Sequence, residues 1–342
     1  MRILKTIAVV LTLSLLLVGC GSTAPSTGTS SSGNAQAQFQ GNGKPEKTDI
    51  TIGLTVPGST YLPIYMADQQ GYYKEQGLNV KVVTFKSGAQ LAQAMAAGSV
   101  DIGVGALSEA LNAISSGAPL KVFYSGFNMP VFGWYSKDIS SFKDGKGKRF
   151  SVTSYGSSTD FLTRYALTTF GLDPKKDVQI MQTGGGGNAL AALDAGQIDV
   201  AILAPPATFD AQQKGYKKIL GLNDLAPEYP YHVMYAMQSF IKNDPNTIKA
   251  VLRAHVKAVE TAKADKNLSV KTLEQAVKYT EAEASSAYDD FINYLYPDGR
   301  LPNKQGMDVF WKIGIQNGQF KDVWPDDKWL DPTFINSYNQ WK

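Results

Sequence analysis

An α/β fold of two similar lobes, each a mixed, mostly parallel sheet flanked by helices, is predicted by three observations. They are a doubled motif, alternation of strand-like with helix-like runs, and a length of 342 residues, more than one hydrophobic core usually organises. The doubling carries most weight. Asn79 to Phe85 alternates apolar and polar side chains, runs into Ser87-Gly88 and a small-residue helix, and ends on Gly98, Asp101 and Ile102-Gly103-Val104. The same order returns from Asp177 to Thr183, through Gly185-Gly186 and a helix around Leu190 and Leu193, to Gly196, Asp199 and Val200 to Leu203. The preceding units match as well: Ile50 to Leu54 leads into Gly58-Ser59-Thr60, and Arg149 to Thr153 into Gly156-Ser157-Ser158-Thr159. Strands alternating with helices imply parallel β-α-β units, whose ligands collect outside the carboxyl ends of the strands. Two such lobes place the site in the cleft between them.

Along the chain, Arg2 and Lys5 precede an apolar run from Ile7 to Val18 that closes on Leu17-Val18-Gly19-Cys20. The run is too short to span a bilayer comfortably and reads as an export signal, residues 1–19. Its last four positions resemble the bacterial lipobox, which implies lipidation of Cys20, the single cysteine, and attachment to the extracytoplasmic face of the cell membrane. Residues 20–47 then form the lipidated Cys and a disordered tether. Gly21 to Gly43 has no charge and one large apolar side chain, Phe39, too little to repay ordering, and its root-mean-square reach is roughly 27 Å. Lobe one is expected over 48–132 and 236–342, lobe two over 133–235, with crossings near Pro130 to Lys137 and Tyr229 to Met237. Asp244-Pro245 reads as an N-cap followed by proline in the first helical position. Ile248, Val251, Leu252, Val256 and Val259 continue that helix as an apolar stripe.

Composition excludes several functions. The formal net charge is +3; loss of Arg2 and Lys5 with the signal lowers it further. The densest basic stretch, Lys143 to Arg149, also holds an Asp and two Gly, so nucleic acid is not the partner. The two histidines, His232 and His255, lie apart in the sequence. His255 falls on the apolar helical face and reads as a satisfied packing residue rather than a base. No metal-ligand spacing and no cofactor motif stand out. Gly184-x-Gly186-x-x-Ala189 formally fits a dinucleotide fingerprint, but no acid follows for a ribose. An enzyme is not expected.

The segment from Thr51 to Ser125, with Gly71-Tyr72-Tyr73, Gly77-Leu78 and the Gly98-x-x-Asp101-Ile102-Gly103 turn, resembles substrate-binding proteins of ABC importers. The type II periplasmic binding proteins for sulfonates, taurine, nitrate and thiamine precursors are the nearest branch. Gly145 to Arg149, Gly156 to Thr159 and Ala195 to Val200 carry the resemblance into the second copy. It implies a monomeric lipoprotein that captures a small molecule between its lobes and delivers it to a permease with its ATPase. The physics of the loops agrees, because each Ser/Thr/Gly cluster sits where a strand ends and a helix begins and offers free N–H groups to an anion. The expected ligand-binding set is Ser59, Thr60, Tyr61, Ser87, Gly88, Ser108, Ser157, Ser158, Thr159, Gly185, Gly186 and Pro205. Plain N-capping is the alternative role for each hydroxyl. An aliphatic sulfonate or taurine-like anion is the first choice; nitrate, a pyrimidine or thiamine precursor, an aromatic acid, or a sensor role without transport are the alternatives. Departures limit that choice: Arg149, Arg164, Arg253 and Arg300 all fall outside the strand-to-helix loops, so no bidentate clamp is visible. The first loop, Pro57 to Pro63, also lacks the His of thiamine-precursor binders.

Overall fold

A computed structural model describes residues 43–55 and 57–342; the export signal, Cys20 and most of the expected tether lie outside them. In chain order the first half runs β1 (Asp49–Thr55), α1 (Leu62–Gln69), α2 (Tyr72–Glu75), β2 (Asn79–Phe85), α3 (Gly88–Ala96), β3 (Ile102–Ala106), α4 (Leu107–Ser115) and β4 (Leu120–Phe127). It continues with β5 (Gly133–Ser136), β6 (Arg149–Val152), α5 (Ser158–Thr169), β7 (Gln179–Gln182), α6 (Gly186–Asp194), β8 (Val200–Leu203), α7 (Ala207–Gln213), β9 (Lys217–Gly221), α8 (Leu222–Leu225) and β10 (His232–Met237). Helices α9 (Gln238–Asn243), α10 (Pro245–Ala264), α11 (Lys266–Val277), α12 (Glu281–Phe291) and α13 (Lys304–Gln316) follow. Among the described residues, no helix is long and apolar enough to cross a membrane.

Two five-stranded sheets form, in the orders β2-β1-β3-β10-β4 and β7-β6-β8-β5-β9. The repeat is visible in them. β1 pairs in parallel with β2 and β3, as β6 does with β7 and β8. In both sheets the fourth strand is antiparallel to its neighbours and comes from a crossing segment: β5 enters the second sheet and β10 returns to the first. The expected crossings are therefore strands themselves. The expected lobe boundary after residue 235 falls inside β10.

The repeated Gly-x-x-Asp turns close the two sheets in the same way. Gly98 and Gly196 take φ of +72° and +66°, a left-handed conformation that costs glycine little. Three residues on, Asp101 accepts a hydrogen bond from the Thr51 N–H at 2.9 Å, and Asp199 accepts one from Arg149 at 2.8 Å. The motif is thus a strand-end clamp.

Two expectations about the ends of elements need correction. The expected tether takes in residues 46 and 47, yet Lys47 pairs with Asp101 at 2.6 Å, and the Glu46 carboxylate accepts from the Thr247 N–H at 2.9 Å and from the Asn246 N–H at 3.2 Å. Glu46 therefore satisfies the first N–H groups of α10. Asp244 occupies the N-cap position but makes no side-chain cap bond, because the donors it would serve are already taken.

Core residues of β1, α1, α10, α11 and α12 pack together, including Ile52, Ile64, Val251, Leu273 and Phe291. Helix α13 behaves differently. In α13, Phe310, Trp311 and Ile313 join a cluster that holds Leu107 and Val122 of the first sheet's layers and Trp134, Phe150 and Leu162 of the second's. The Asn317 side chain beyond α13 also donates to the Phe161 carbonyl of α5 at 3.3 Å. The chain after residue 236 therefore touches both lobes.

Candidate ligand-binding site

Ser59, Thr60 and Tyr61 form a short 3-10 turn after β1, and all three are buried. The Tyr61 hydroxyl donates to the Thr55 carbonyl at 2.7 Å, while its ring stacks on His232 with centroids 4.3 Å apart; this residue belongs to the wall's interior. Ser59 Oγ is buried with no partner at hydrogen-bond geometry, with the Tyr279 phenol as a polar neighbour. Ser87 caps α3 by accepting from the Gln90 N–H at 3.3 Å. In the second lobe Ser157 caps α5, and Thr153, Ser157 and Thr159 exchange hydroxyl contacts of 2.8–2.9 Å. Thr159 Oγ1 also accepts from the Thr153 N–H at 2.9 Å. For Ser87 and Ser157 the capping role is realised.

The two lobes' corners face one another. Ser108 Oγ, on the first turn of α4, lies 3.3 Å from Ser158 Oγ, on the first turn of α5. Gly185 and Gly186 begin α6, where a Cβ on Gly185 would meet nothing within 4 Å and one on Gly186 would stop 3.0 Å from the Ala207 Cβ. Pro205, half-buried, joins β8 to α7 through a cis peptide to Pro206.

Sequence reasoning missed Glu109. Its Oε2 accepts from Thr55 Oγ1 at 3.2 Å and from the Ala106 N–H at 3.3 Å, and the Gly88 N–H also bonds the carboxylate. Loops after β1, β2 and β3 thus converge on one acid. A Cβ on Gly88 would lie 2.6 Å from the Glu109 Cβ, so the side chain fills the floor of that corner. Burial raises its pKa, opposed by those three donors. Donors that an external anion would need in lobe one already serve a carboxylate. The only trace in the sequence is the capping-box offset of Glu109 from Ala106, obscured because alanine, not serine or threonine, holds the cap.

A cavity of about 300 Å³ lies beside the first crossing segment, and Pro130 to Gly133 form one of its walls. Thr208 and Gln212 of α7, Tyr135 of β5 and Lys218 of β9 contribute from the second lobe, and Asp289 and Asp290 of α12 from the first. Asp289 is engaged with Lys266 at 2.6 Å. Asp290 is exposed, yet protein hems its carboxylate closely enough to raise its pKa by desolvation; Lys218 and the Thr208 hydroxyl, 3.5 Å away, pull the other way. None of the twelve expected ligand-binding residues lines this cavity.

The sequence pattern of the NMT1/THI5 like family matches residues 59–267, which run from the first strand-to-helix corner through both copies of the repeat. The chain belongs to the NMT1/THI5-like family. Among its relatives, YtlA of Bacillus subtilis (strain 168), named as a binding protein, is 25% identical over 64% of this chain and 66% of its own. The 4-amino-5-hydroxymethyl-2-methylpyrimidine phosphate synthase of Schizosaccharomyces pombe is 29% identical over 57% of this chain and 59% of its own. The aligned part spans less than two thirds of each relative's length. The periplasmic aliphatic sulphonate binding protein SsuA from Escherichia coli superposes with a TM-score of 0.70 at 18% identity, covering 84% of this chain and 93% of that one. The fold of this NMT1/THI5-like chain is that of the periplasmic binding proteins.

Its two histidines, far apart in sequence, both pack on Phe127, at 6.0 and 5.2 Å between ring centroids. Each leaves a buried Nδ1 without a hydrogen bond, so His255 is a packing residue but not a satisfied one. Burial lowers both pKa values to about 3, which keeps both rings neutral at ordinary pH.

Proposed function

We propose that this chain is the solute-capturing component of an ABC importer, anchored through an acylated Cys20 outside the cell membrane, which closes two lobes over a small organic molecule and presents it to a permease. The Ser108–Ser158 contact carries this reading, because it brings a strand-to-helix corner of each lobe, the one after β3 and the one after β6, together across the cleft. A hinge-side cavity walled by both lobes supports it. The lobes are taken as 48–132 with 236–342, and 133–235, turning about the crossing strands. Catalysis is not part of the proposal, since both histidines are buried and held neutral, with Nδ1 of each unpartnered.

The ligand-binding set carries forward, with Gly185 exposed and Ser108, Ser158 and Gly186 half-buried at the corners. A sulfonate-type anion draws support from the open N-terminal corner of α6 and from the fold shared with a sulphonate binder. One helix terminus contributes up to about 2 kcal/mol, whereas micromolar affinity needs about 8 kcal/mol, so other contacts must supply the remainder. Calorimetric titration of the purified protein with taurine, alkanesulfonates, nitrate, aromatic carboxylates and pyrimidines tests the proposal. A member of that panel is expected to bind, and Ser158→Ala weakens about fivefold, the worth of one hydrogen bond, a solute held at the facing corners. Heat from none of these solutes would refute solute capture.

A further inference from the structure

The hinge-side cavity holds two charges of opposite sign, one from each lobe. Asp290 projects from α12, which packs in the first lobe's core, and Lys218 from β9 at the edge of the second sheet. The Lys218 charge draws the Asp290 pKa down, yet no ion pair joins them among the described residues. The third charge, Asp289, is neutralised by Lys266. Around the two charges stand polar groups suited to short solutes: the Tyr135 hydroxyl, which accepts from Gln212 Nε2 at 3.3 Å, and the side chains of Thr208, Asn223 and Asn293. A lone anion placed here would face Asp290, and a lone cation would face Lys218. A molecule bearing both charges at opposite ends satisfies both and ties the lobes together as it does so.

We propose that the cavity binds a short zwitterion, its ammonium on Asp290 and its sulfonate or carboxylate on Lys218. The assignment rests on the solute-capture reading and narrows it. It keeps the taurine-like part of the earlier expectation but moves the guest from the Ser, Thr and Gly corners to the hinge-side cavity, and it agrees with Glu109 having taken the first lobe's loop donors. Closure acquires a driving force, because the bridge forms only when both lobes reach the same guest.

Four probes of nearly equal size separate the charges: taurine and β-alanine carry both, ethanesulfonate only the negative one and ethylamine only the positive one. In calorimetric titrations of the whole protein, at least one zwitterion is expected to bind tenfold or more tightly than either singly charged probe. Asp290→Asn is expected to reduce that zwitterion to the level of ethanesulfonate, and Lys218→Gln to that of ethylamine. Both residues are exposed, so the melting temperatures of the empty variants should match the parent, which separates loss of a contact from loss of fold. Ethanesulfonate or ethylamine binding as well as the zwitterions overturns the assignment, as does a zwitterion indifferent to both substitutions. Either result leaves solute capture standing. Binding by none of the four overturns the assignment too, and solute capture is then judged on the wider panel.

Discussion

Glu109 and Gly88 occupy one another's space, and that pairing decides what the first lobe's loops still offer a guest. A methyl group on Gly88 would sit 2.6 Å from the Glu109 Cβ, so Gly88→Ala forces α4 and the β2–α3 corner apart. It should cost about 1–3 kcal/mol in urea unfolding; an unchanged midpoint would show that the corner is looser than the structure has it. The buried histidines make a second statement at this scale. Burial holds both pKa values at about 3, whereas the unfolded chain titrates near 6.5, so between those values the unfolded state binds more protons. Stability is then full above about pH 6.5 and falls as the pH drops, by about 1.4 kcal/mol per pH unit for each histidine. Comparing unfolding free energies at pH 7 and pH 5, His255→Leu should show a visibly shallower loss than the parent. An equal loss in both proteins would remove His255 from the acid response.

Helix α10 illustrates what was legible in the sequence at the level of elements. The apolar stripe of Ile248, Val251, Leu252, Val256 and Val259 marked its face, and all five side chains are buried, because spacing of three and four residues is a local property. Its cap was not legible. Asp244 stands where a cap is expected, but Glu46, two hundred residues earlier, accepts from the first N–H groups. Glu46→Ala should therefore lower stability by about 1 kcal/mol and speed amide exchange in the first turn of α10, whereas Asp244→Ala should do much less. Equal effects from the two would contradict the assignment. Strand β9 was missed for a related reason: it opens on Lys217-Lys218, an unpromising strand start, and exists through its pairing with β5. Strands with clean alternation, such as β1 and β2, needed no such partner to be recognised.

The whole molecule turns on whether the corners of the two lobes meet. Ser108 and Ser158 stand close enough that a Ser108→Cys/Ser158→Cys double variant should cross-link rapidly under mild oxidation, in this chain whose single natural cysteine is Cys20. Neither single variant should form an internal cross-link between the lobes. A double variant that stays reduced would mean that the cleft stands open at rest. The sequence by itself determined the duplication, the strand-to-helix corners and the two-sheet plan, because a repeat is written in the order and spacing of residue types along the chain. Only the tertiary structure decided that Glu109 fills the first lobe's corner, that Glu46 caps a distant helix, and that Asp290 and Lys218 share a cavity. Those contacts join residues remote in sequence and depend on the path of the folded backbone, which no local pattern records.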